Sequence, residues 1–166
     1  SRAGRPGRLE ELVLEDVVEA ALELEGDGGE RLAIAREDLL GIYRNLLVTR
    51  GIEERGHILY KQGKIPGSFY TGRGNEGAAV GVATAMGPDD VGTPLHRDMG
   101  VHVTRGVEPW RIFAQYMGRQ DGITRGRDGN VHFGDRTKGC VGMVSMLPDM
   151  MLIATGMAMA FKLRDE

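Results

Sequence analysis

The sequence has almost no cysteine and no surplus of positive charge. Cys140 is the single cysteine among 166 residues, so one chain can form neither an internal disulfide nor a cysteine-based zinc site. Lys and Arg number 21 against 24 Asp and Glu, which leaves a net charge of −3. Strong nucleic-acid binding needs a basic surface that displaces counterions from phosphates. These absences favour a reducing compartment and disfavour DNA or RNA as a partner.

Long apolar runs are missing as well. The longest, residues 150–161, is too short to cross a bilayer. Residues 1–8 contain three arginines and lack the apolar core of a secretory signal. We therefore expect no membrane association and a cytoplasmic location, or the mitochondrial matrix if the source is eukaryotic. Because the sequence begins without Met and stops without a helix stop signal, we also expect that its ends are not natural termini.

Glycine, in contrast, is abundant. The chain has 26 glycines, about 16% of its residues and roughly twice ordinary usage. A flexible break at 26–29 follows an acidic amphipathic segment at 9–25, which is either a solvated helix or a docking arm for a partner. We predict an N-terminal arm over residues 1–34 and a folded domain over residues 35–166.

The spacing of apolar residues predicts a mostly helical chain with one long loop. Helices are expected over residues 36–62, 77–86, 99–105, 110–117 and 150–161. Leu47, Arg50 and Glu54 are among the residues whose helical spacing supports the first of them. The last is apolar on every side, so we expect it to be central and buried, and the methionines clustered there are typical of adaptable core packing.

Two further segments are expected to be non-helical. Residues 91–96 are the best strand candidate. Residues 118–142 form a glycine-rich loop whose length is typical of functional or disordered segments.

One glycine motif has two interpretations. Residues 72–77 match the G-x-G-x-x-G fingerprint of dinucleotide-binding proteins and open a helix. The fingerprint also requires a buried strand immediately before it, and the preceding residues do not provide one. We favour a glycine-rich helix entry, with a dinucleotide-binding domain as the alternative.

Histidine and arginine side chains are the candidates for chemistry. His96 and Arg97 follow the strand candidate, at the edge where open α/β sheets bind ligands. An arginine there can bind a phosphate through two hydrogen bonds and a histidine can donate to the same anion, although a structural pair of Arg97 with Asp98 would look the same. His132 can orient a carboxylate or act as an acid, or it can be an ordinary hydrogen-bonded histidine. The histidines show no paired metal-ligand spacing, so no zinc site is expected.

The order and spacing of the motifs are more specific than any one of them. Residues from about 39 to 166 resemble the alpha subunit of the thiamine diphosphate-dependent, decarboxylating component of 2-oxoacid dehydrogenase complexes. The matching segments are LYKQGKI at 59–65, GNEGAAVGV at 74–82, HRDMG at 96–100, RGVEP at 105–109, GRDGNVHF at 126–133 and ATGMAMAFK at 154–162. The resemblance implies the α/β thiamine diphosphate-binding fold, a parallel sheet flanked by helices, with only its N-terminal, mostly helical part present here.

The resemblance also implies the residues of a cofactor site. His96 and Arg97 correspond to a Tyr-Arg pair on the diphosphate, with His96 in place of the usual Tyr. Ser145 and Leu147 correspond to residues that lie against the cofactor, and His132 corresponds to the catalytic histidine of the active-site loop. The family's magnesium ligands, a Gly-Asp-Gly and a later Asn, are expected beyond residue 166.

The activity that the resemblance implies is oxidative decarboxylation of a 2-oxo acid, branched-chain or pyruvate, with acyl transfer to lipoamide. Its partners would be a beta subunit, in an α2β2 heterotetramer, and a lipoyl acyltransferase component. This piece alone is expected to be inactive. The alternative is a non-catalytic interaction fragment of such a subunit, which would fail to bind thiamine diphosphate with magnesium.

Overall fold

The computed structural model describes residues 34–129, 132–142 and 146–164. The chain divides into two compact units, Ser1–Arg44 and Asn45–Glu166. The predicted acidic helix at 9–25, nearly all of the predicted arm at 1–34, and Ser145 lie outside the described residues.

The described residues form five α-helices and one short 3₁₀ helix, and this confirms the predicted helices. They are α1 (Arg36–Lys61), α2 (Glu76–Ala85), α3 (Met99–Thr104), α4 (Pro109–Tyr116), the 3₁₀ helix (Arg136–Lys138) and α5 (Asp149–Arg164). Local signals determine several ends. Gly63, with φ of 68°, terminates α1 in a Schellman motif in which the N–H of Lys64 donates to the carbonyl of Leu59 at 3.0 Å. Pro109 begins α4, where its missing N–H costs nothing.

The strand predicted at 91–96 does not form. In the described part of the chain, β pairing is limited to one parallel bridge between Gly92 and Cys140. The N–H of Val141 donates to the carbonyl of Gly92 at 2.9 Å. Pro94 follows and has no N–H for a ladder, and the N–H of Leu95 is used by the next turn. The mostly helical character is thus confirmed, while the parallel sheet stays a prediction.

Two apolar clusters hold the described helices together. The larger contains Ile52, Leu59, Ile65, Met99, Val103, Val107, Ile112, Tyr116, Phe133 and Met150. The smaller contains Ala79, Ala83, Val101 and Cys140, where α2 packs on α3. This packing is close because Gly100 has no side chain: a Cβ there would be 2.9 Å from a Val80 methyl group.

The residues whose spacing supported α1 in the sequence do not form its buried face. Leu47, Arg50 and Glu54 are exposed, whereas the buried residues are Thr49, Ile52, Glu53, Gly56 and Leu59. This face includes a carboxyl group, so the helix is not apolar on the side that packs.

The prediction that the last helix is central and buried is wrong for the described structure. Of the described residues of α5, Met150 alone is buried, while Met151, Leu152 and Leu163 are 69%, 74% and 86% exposed. A helix that is apolar all round leaves apolar side chains in solvent wherever one face alone is packed. Core packing therefore explains Met150 but not the exposed Met151 and Met159 of α5. No helix in the described ranges is long and apolar enough to cross a membrane.

Candidate functional site

A tight turn carries His96 and Arg97. The N–H of Asp98 donates to the carbonyl of Leu95 at 3.0 Å, and the N–H of Leu95 donates to Oδ2 of Asp98 at 3.0 Å. The side-chain amide of Asn75 donates to the other carboxylate oxygen of Asp98 at 3.4 Å. Asp98 therefore closes the turn and forms no ion pair with Arg97 in the described structure.

The Arg97 guanidinium is exposed and has no ion-pair partner among the residues described. A guanidinium presents five N–H donors in a rigid planar fork that matches a phosphate. It is thus available to an anion from solvent.

His96 lies beside Arg97 in a half-buried position. Its ring meets the ring of Tyr70 edge-on, with centroids 4.8 Å apart. Burial, and secondarily the charge of Arg97, lower the pKa of His96, and His132 adds to this lowering. Its Nδ1 atom is buried and has no hydrogen-bond partner in the described chain. A buried polar atom without a partner is costly, so Nδ1 is a candidate contact for a ligand.

His132 belongs to the same region, because it is close enough to act electrostatically on His96. Its Nδ1 lies 3.9 Å from a carboxylate oxygen of Asp128. The structure thus places His132 within electrostatic range of His96, whereas Leu147 is mostly exposed in the segment before α5.

The glycine motif lies directly beneath the turn. A Cβ at Gly72 would overlap the carbonyl oxygen of Arg97, so the backbone at Gly72 touches the backbone at Arg97. This close approach is the reason that a glycine is required there.

One carboxylate from α2 holds the middle of the glycine motif. Glu76 accepts the N–H of Gly74 at 2.7 Å and the guanidinium N–H of Arg50 at 2.6 Å. The hydrogen bond from Arg50 is the largest cause that lowers the pKa of Glu76, to about 2. Glu76 is therefore ionised throughout the physiological range.

A second carboxylate, from α1, holds the start of the motif. Burial raises the pKa of Glu53, while hydrogen bonds from the Thr71 hydroxyl and the Gly72 N–H oppose the rise. Its Oε2 is buried without a hydrogen-bond partner among the described residues.

These contacts argue against the dinucleotide alternative. The fingerprint works by offering glycine N–H groups to a pyrophosphate. Here the N–H groups of Gly72 and Gly74 are directed at carboxylates, which would repel a phosphate. No strand precedes the motif in the described sequence.

We expect Glu76→Gln to lower the melting temperature of the purified protein by about 4 °C at neutral pH. The change removes the charge that pairs with Arg50 and weakens the acceptor for Gly74. Because the folded-state pKa of Glu76 is about 2 and its ordinary value is 4.5, this stabilisation is complete above pH 4.5 and is lost as the pH falls towards 2. The difference in melting temperature between Glu76→Gln and the unmodified protein, measured by calorimetry, should therefore be smaller at about pH 3 than at pH 7.

Glu54→Gln is the control for this prediction, since Glu54 is in an exposed pair with Arg73. An equal loss of melting temperature in both variants would contradict the prediction.

The loop that carries His132 is organised around a buried glutamine. Oε1 of Gln115 accepts the N–H and the hydroxyl of Thr124 at 2.9 and 3.0 Å. Its amide nitrogen donates to the carbonyl of Asp128 at 2.9 Å. Gln115 is on the inward face of α4 together with Ile112 and Tyr116. The glycine-rich segment is therefore attached to α4 at two points on the N-terminal side of His132.

Residues after His132 are anchored separately. Phe133 is buried, and its ring centroid lies 4.5 Å from that of His102. Asp135 accepts hydrogen bonds from the Thr137 hydroxyl at 2.6 Å and from Arg111 at 3.0 Å. Burial opposes these contacts, but together they lower the pKa of Asp135. Both sides of His132 are thus fixed to α3 or α4.

The family model described as "Dehydrogenase E1 component" matches residues 44–166. The chain belongs to this family. It is 31% identical over 133 residues to the alpha subunit of acetoin:2,6-dichlorophenolindophenol oxidoreductase from Bacillus subtilis (strain 168), over 80% of this chain and 40% of that protein. It is 33% identical over 133 residues to the pyruvate dehydrogenase E1 component subunit alpha of Zymomonas mobilis, over 79% of this chain and 37% of the relative. A mitochondrial pyruvate dehydrogenase E1 alpha-1 subunit of Oryza sativa subsp. japonica is 32% identical, with 33% of its length covered.

These findings confirm the resemblance to alpha subunits that the motifs indicated. The chain spans 40% or less of the length of these curated relatives. In this dehydrogenase E1 chain, the described residues contain no group of three or more His, Cys, Asp or Glu that could hold a metal ion.

Several residues that build the candidate site were not found from the sequence. Glu53, Gln115 and His102 are polar residues on the inward faces of helices, and their helical spacing with apolar neighbours is the signal that could have identified them. The contact of Gly72 with Arg97 had no such signal, because it joins two turns that are distant along the chain.

Proposed function

We propose that this chain belongs to the alpha subunit of a thiamine diphosphate-dependent enzyme that decarboxylates a 2-oxo acid and passes the acyl group to lipoamide. Membership of the E1 family supports the proposal. The observation that carries it is the turn at 95–98, where neither the Arg97 guanidinium nor Nδ1 of His96 has a partner among the described residues.

These two residues fit the diphosphate end of the cofactor. The Arg97 fork would form charge-assisted hydrogen bonds with phosphate oxygens. Burial lowers the pKa of His96 and so favours its neutral form, and a neutral imidazole protonated at Nδ1 donates one hydrogen bond without adding a charge. When bound, thiamine diphosphate supplies the electron sink for decarboxylation. In this proposal Ser145 and Leu147 lie against the cofactor.

His132 would act on the substrate. A carboxylate oxygen of Asp128 lies 3.9 Å from its Nδ1, and the residues on both sides are anchored to α3 and α4. From there an imidazole can bind the substrate carboxylate or move a proton. We propose that His132 is the catalytic histidine of this chain.

The proposed enzyme includes components outside the described residues. Magnesium would neutralise the diphosphate, and the resemblance assigns its ligands to sequence beyond residue 166. A beta subunit in an α2β2 heterotetramer and a lipoyl acyltransferase would complete the reaction, in the cytoplasm or the mitochondrial matrix.

Acetoin is a second candidate substrate. The chain is 31% and 32% identical to two alpha subunits of acetoin:2,6-dichlorophenolindophenol oxidoreductases, which is as similar as the chain is to the pyruvate dehydrogenase subunits. Reduction of a dye by the assembled enzyme with pyruvate, a branched-chain 2-oxo acid or acetoin would distinguish the substrates.

We expect Arg97→Gln to weaken binding of thiamine diphosphate with magnesium by at least about tenfold, because the charged fork to the phosphate is lost. The measurement is calorimetry on the subunit assembled with its beta partner. Arg73→Gln is the matched control, since Arg73 is exposed on the neighbouring loop and pairs with Glu54.

The proposal fails if the assembled protein binds no thiamine diphosphate, and a protein that then still binds a partner would be an interaction module. Equal affinities of the Arg97 variant and the unmodified protein would remove Arg97 from the site.

A further inference from the structure

Glu53 is an acidic residue in an unfavourable position. Its side chain is on the buried face of α1 and is 1% exposed. One carboxyl oxygen, Oε2, has no hydrogen-bond partner within the described residues, and no ion pair includes Glu53 in that part of the structure. Burying a carboxyl group with incomplete hydrogen bonding is costly, and an apolar side chain of similar volume is often at least as stable. The stability of the fold therefore does not explain this carboxyl group.

The contacts that Glu53 does make are directed at the glycine motif. The Thr71 hydroxyl and the Gly72 N–H both hydrogen-bond to the carboxyl group. These are adjacent residues of one loop, so two bonds to one group restrict both position and rotation of that backbone. Thr71 is otherwise exposed, and its hydroxyl also accepts the N–H of Arg73 at 3.2 Å.

The next contact leads to the cofactor site. Gly72 is buried, and a Cβ there would overlap the carbonyl oxygen of Arg97. The backbone that Glu53 holds is thus the surface on which the His96–Arg97 turn rests. A shift of this backbone would move Arg97 directly, because no side chain lies between them.

We propose that Glu53 is a positioning residue for the cofactor: it fixes Thr71 and Gly72 beneath Arg97, so that the guanidinium is held where the diphosphate binds. The inference rests on the proposed role of Arg97. Glu53 itself does not touch the cofactor. Glu76 holds the far side of the same loop through Gly74, but it is ion-paired with Arg50 and contributes to stability in its own right.

The test compares Glu53→Leu with Glu53→Gln in the subunit assembled with its beta partner. Leu removes both hydrogen bonds, and we expect thiamine diphosphate with magnesium to bind about tenfold more weakly by calorimetry, as is common for residues behind a ligand contact. The KM for the cofactor should rise in parallel, while kcat at saturating cofactor stays nearly unchanged. Gln keeps an acceptor oxygen, so its affinity should return to within about threefold of the unmodified protein.

Two controls separate positioning from stability. The melting temperature of the Glu53→Leu variant without cofactor should change by no more than about 4 °C, because removal of a buried carboxyl group with incomplete hydrogen bonding offsets the loss of the acceptor for Gly72. Glu54→Gln, an exposed neighbour on α1, should leave cofactor affinity unchanged. If Glu53→Leu does not fold, Thr71→Val replaces it, since Thr71 is exposed and this change removes one of the two bonds; its affinity should fall about threefold.

Unchanged affinity in Glu53→Leu, or in Thr71→Val where that variant is needed, overturns the inference and leaves the proposed function intact. If the unmodified assembly binds no thiamine diphosphate, the proposed function and this inference both fail.

Discussion

Replacing Gly134 by Ala is expected to destabilise the purified protein by about 3 kcal/mol. A Cβ at Gly134 would overlap the backbone nitrogen of Gly142 and the carbonyl carbon of Val141. Both neighbours are backbone atoms, so neither can rotate away as a flexible side chain would. The two segments must separate, and Phe133, which is buried next to Gly134, must leave its contact with His102.

The measurement is urea denaturation of the unmodified protein and the variant. Gly129→Ala is the matched control, because a Cβ at Gly129 has no heavy atom within 4 Å; its stability should change by less than about 0.5 kcal/mol. A Gly134 variant as stable as this control would show that the two segments do not pack as described.

The second expected result concerns His102. Its side chain is 3% exposed and its Nδ1 has no hydrogen-bond partner in the described structure. Burial lowers its pKa from 6.5 to about 4, against a smaller opposing influence from Asp135. The folded state therefore favours the neutral form of the His102 imidazole.

The sign of the pH effect follows from this pKa. Between pH 6.5 and 4 the unfolded chain takes up a proton at His102 and the folded chain does not, so stability falls as the pH falls through this range. The contribution amounts to about 3 kcal/mol over the whole interval. Above pH 6.5 it has no further pH dependence.

Comparing the unmodified protein with His102→Leu isolates this contribution. We expect the unfolding free energy of the variant to fall less steeply between pH 7 and about pH 4.5, so that the two curves converge or cross at the acidic end. His57→Gln is the control, because His57 is only half-buried on α1. The unfolding free energy of this variant should fall with pH as steeply as that of the unmodified protein. Parallel curves for the unmodified protein and the His102 variant would contradict the prediction.

Both results concern the loop that carries His132. Phe133 packs on His102, and Gly134 follows it against Gly142. A loop rich in glycine could have been disordered, and the sequence left that possibility open. The structure shows that several of its glycines are required for close contacts; Gly122, for example, lies against the backbone of Gln115.

The sequence was sufficient for features that depend on local interactions. Gly63 ends α1 by adopting a left-handed conformation, and Pro109 begins α4 by fixing φ. Both signals act within one helical turn. The family was also identifiable from the sequence, because collinear motifs are retained as residue strings. The roles of His96, Arg97, Ser145, Leu147 and His132 follow from that resemblance and stay proposals.

Prediction from the sequence was wrong where burial of a helix depends on the surface that packs against it. The apolar composition of α5 indicated a buried helix, yet its apolar side chains are mostly exposed. On α1 the face that packs inward includes Glu53, a residue type whose charge does not indicate burial. Hydropathy measures the preference of each side chain, and it does not show which partner surface is present.

The sequence by itself determined the helices, the absence of an internal disulfide among these 166 residues and the family. Only the tertiary structure decided that Gly72 supports Arg97, that Glu53 and Glu76 accept N–H groups of the glycine motif, and that His132 is near enough to His96 to affect its pKa. The physical reason is range: helix ends depend on neighbours within a few residues, whereas the site consists of backbone and carboxylate contacts between segments that only the folded chain brings together.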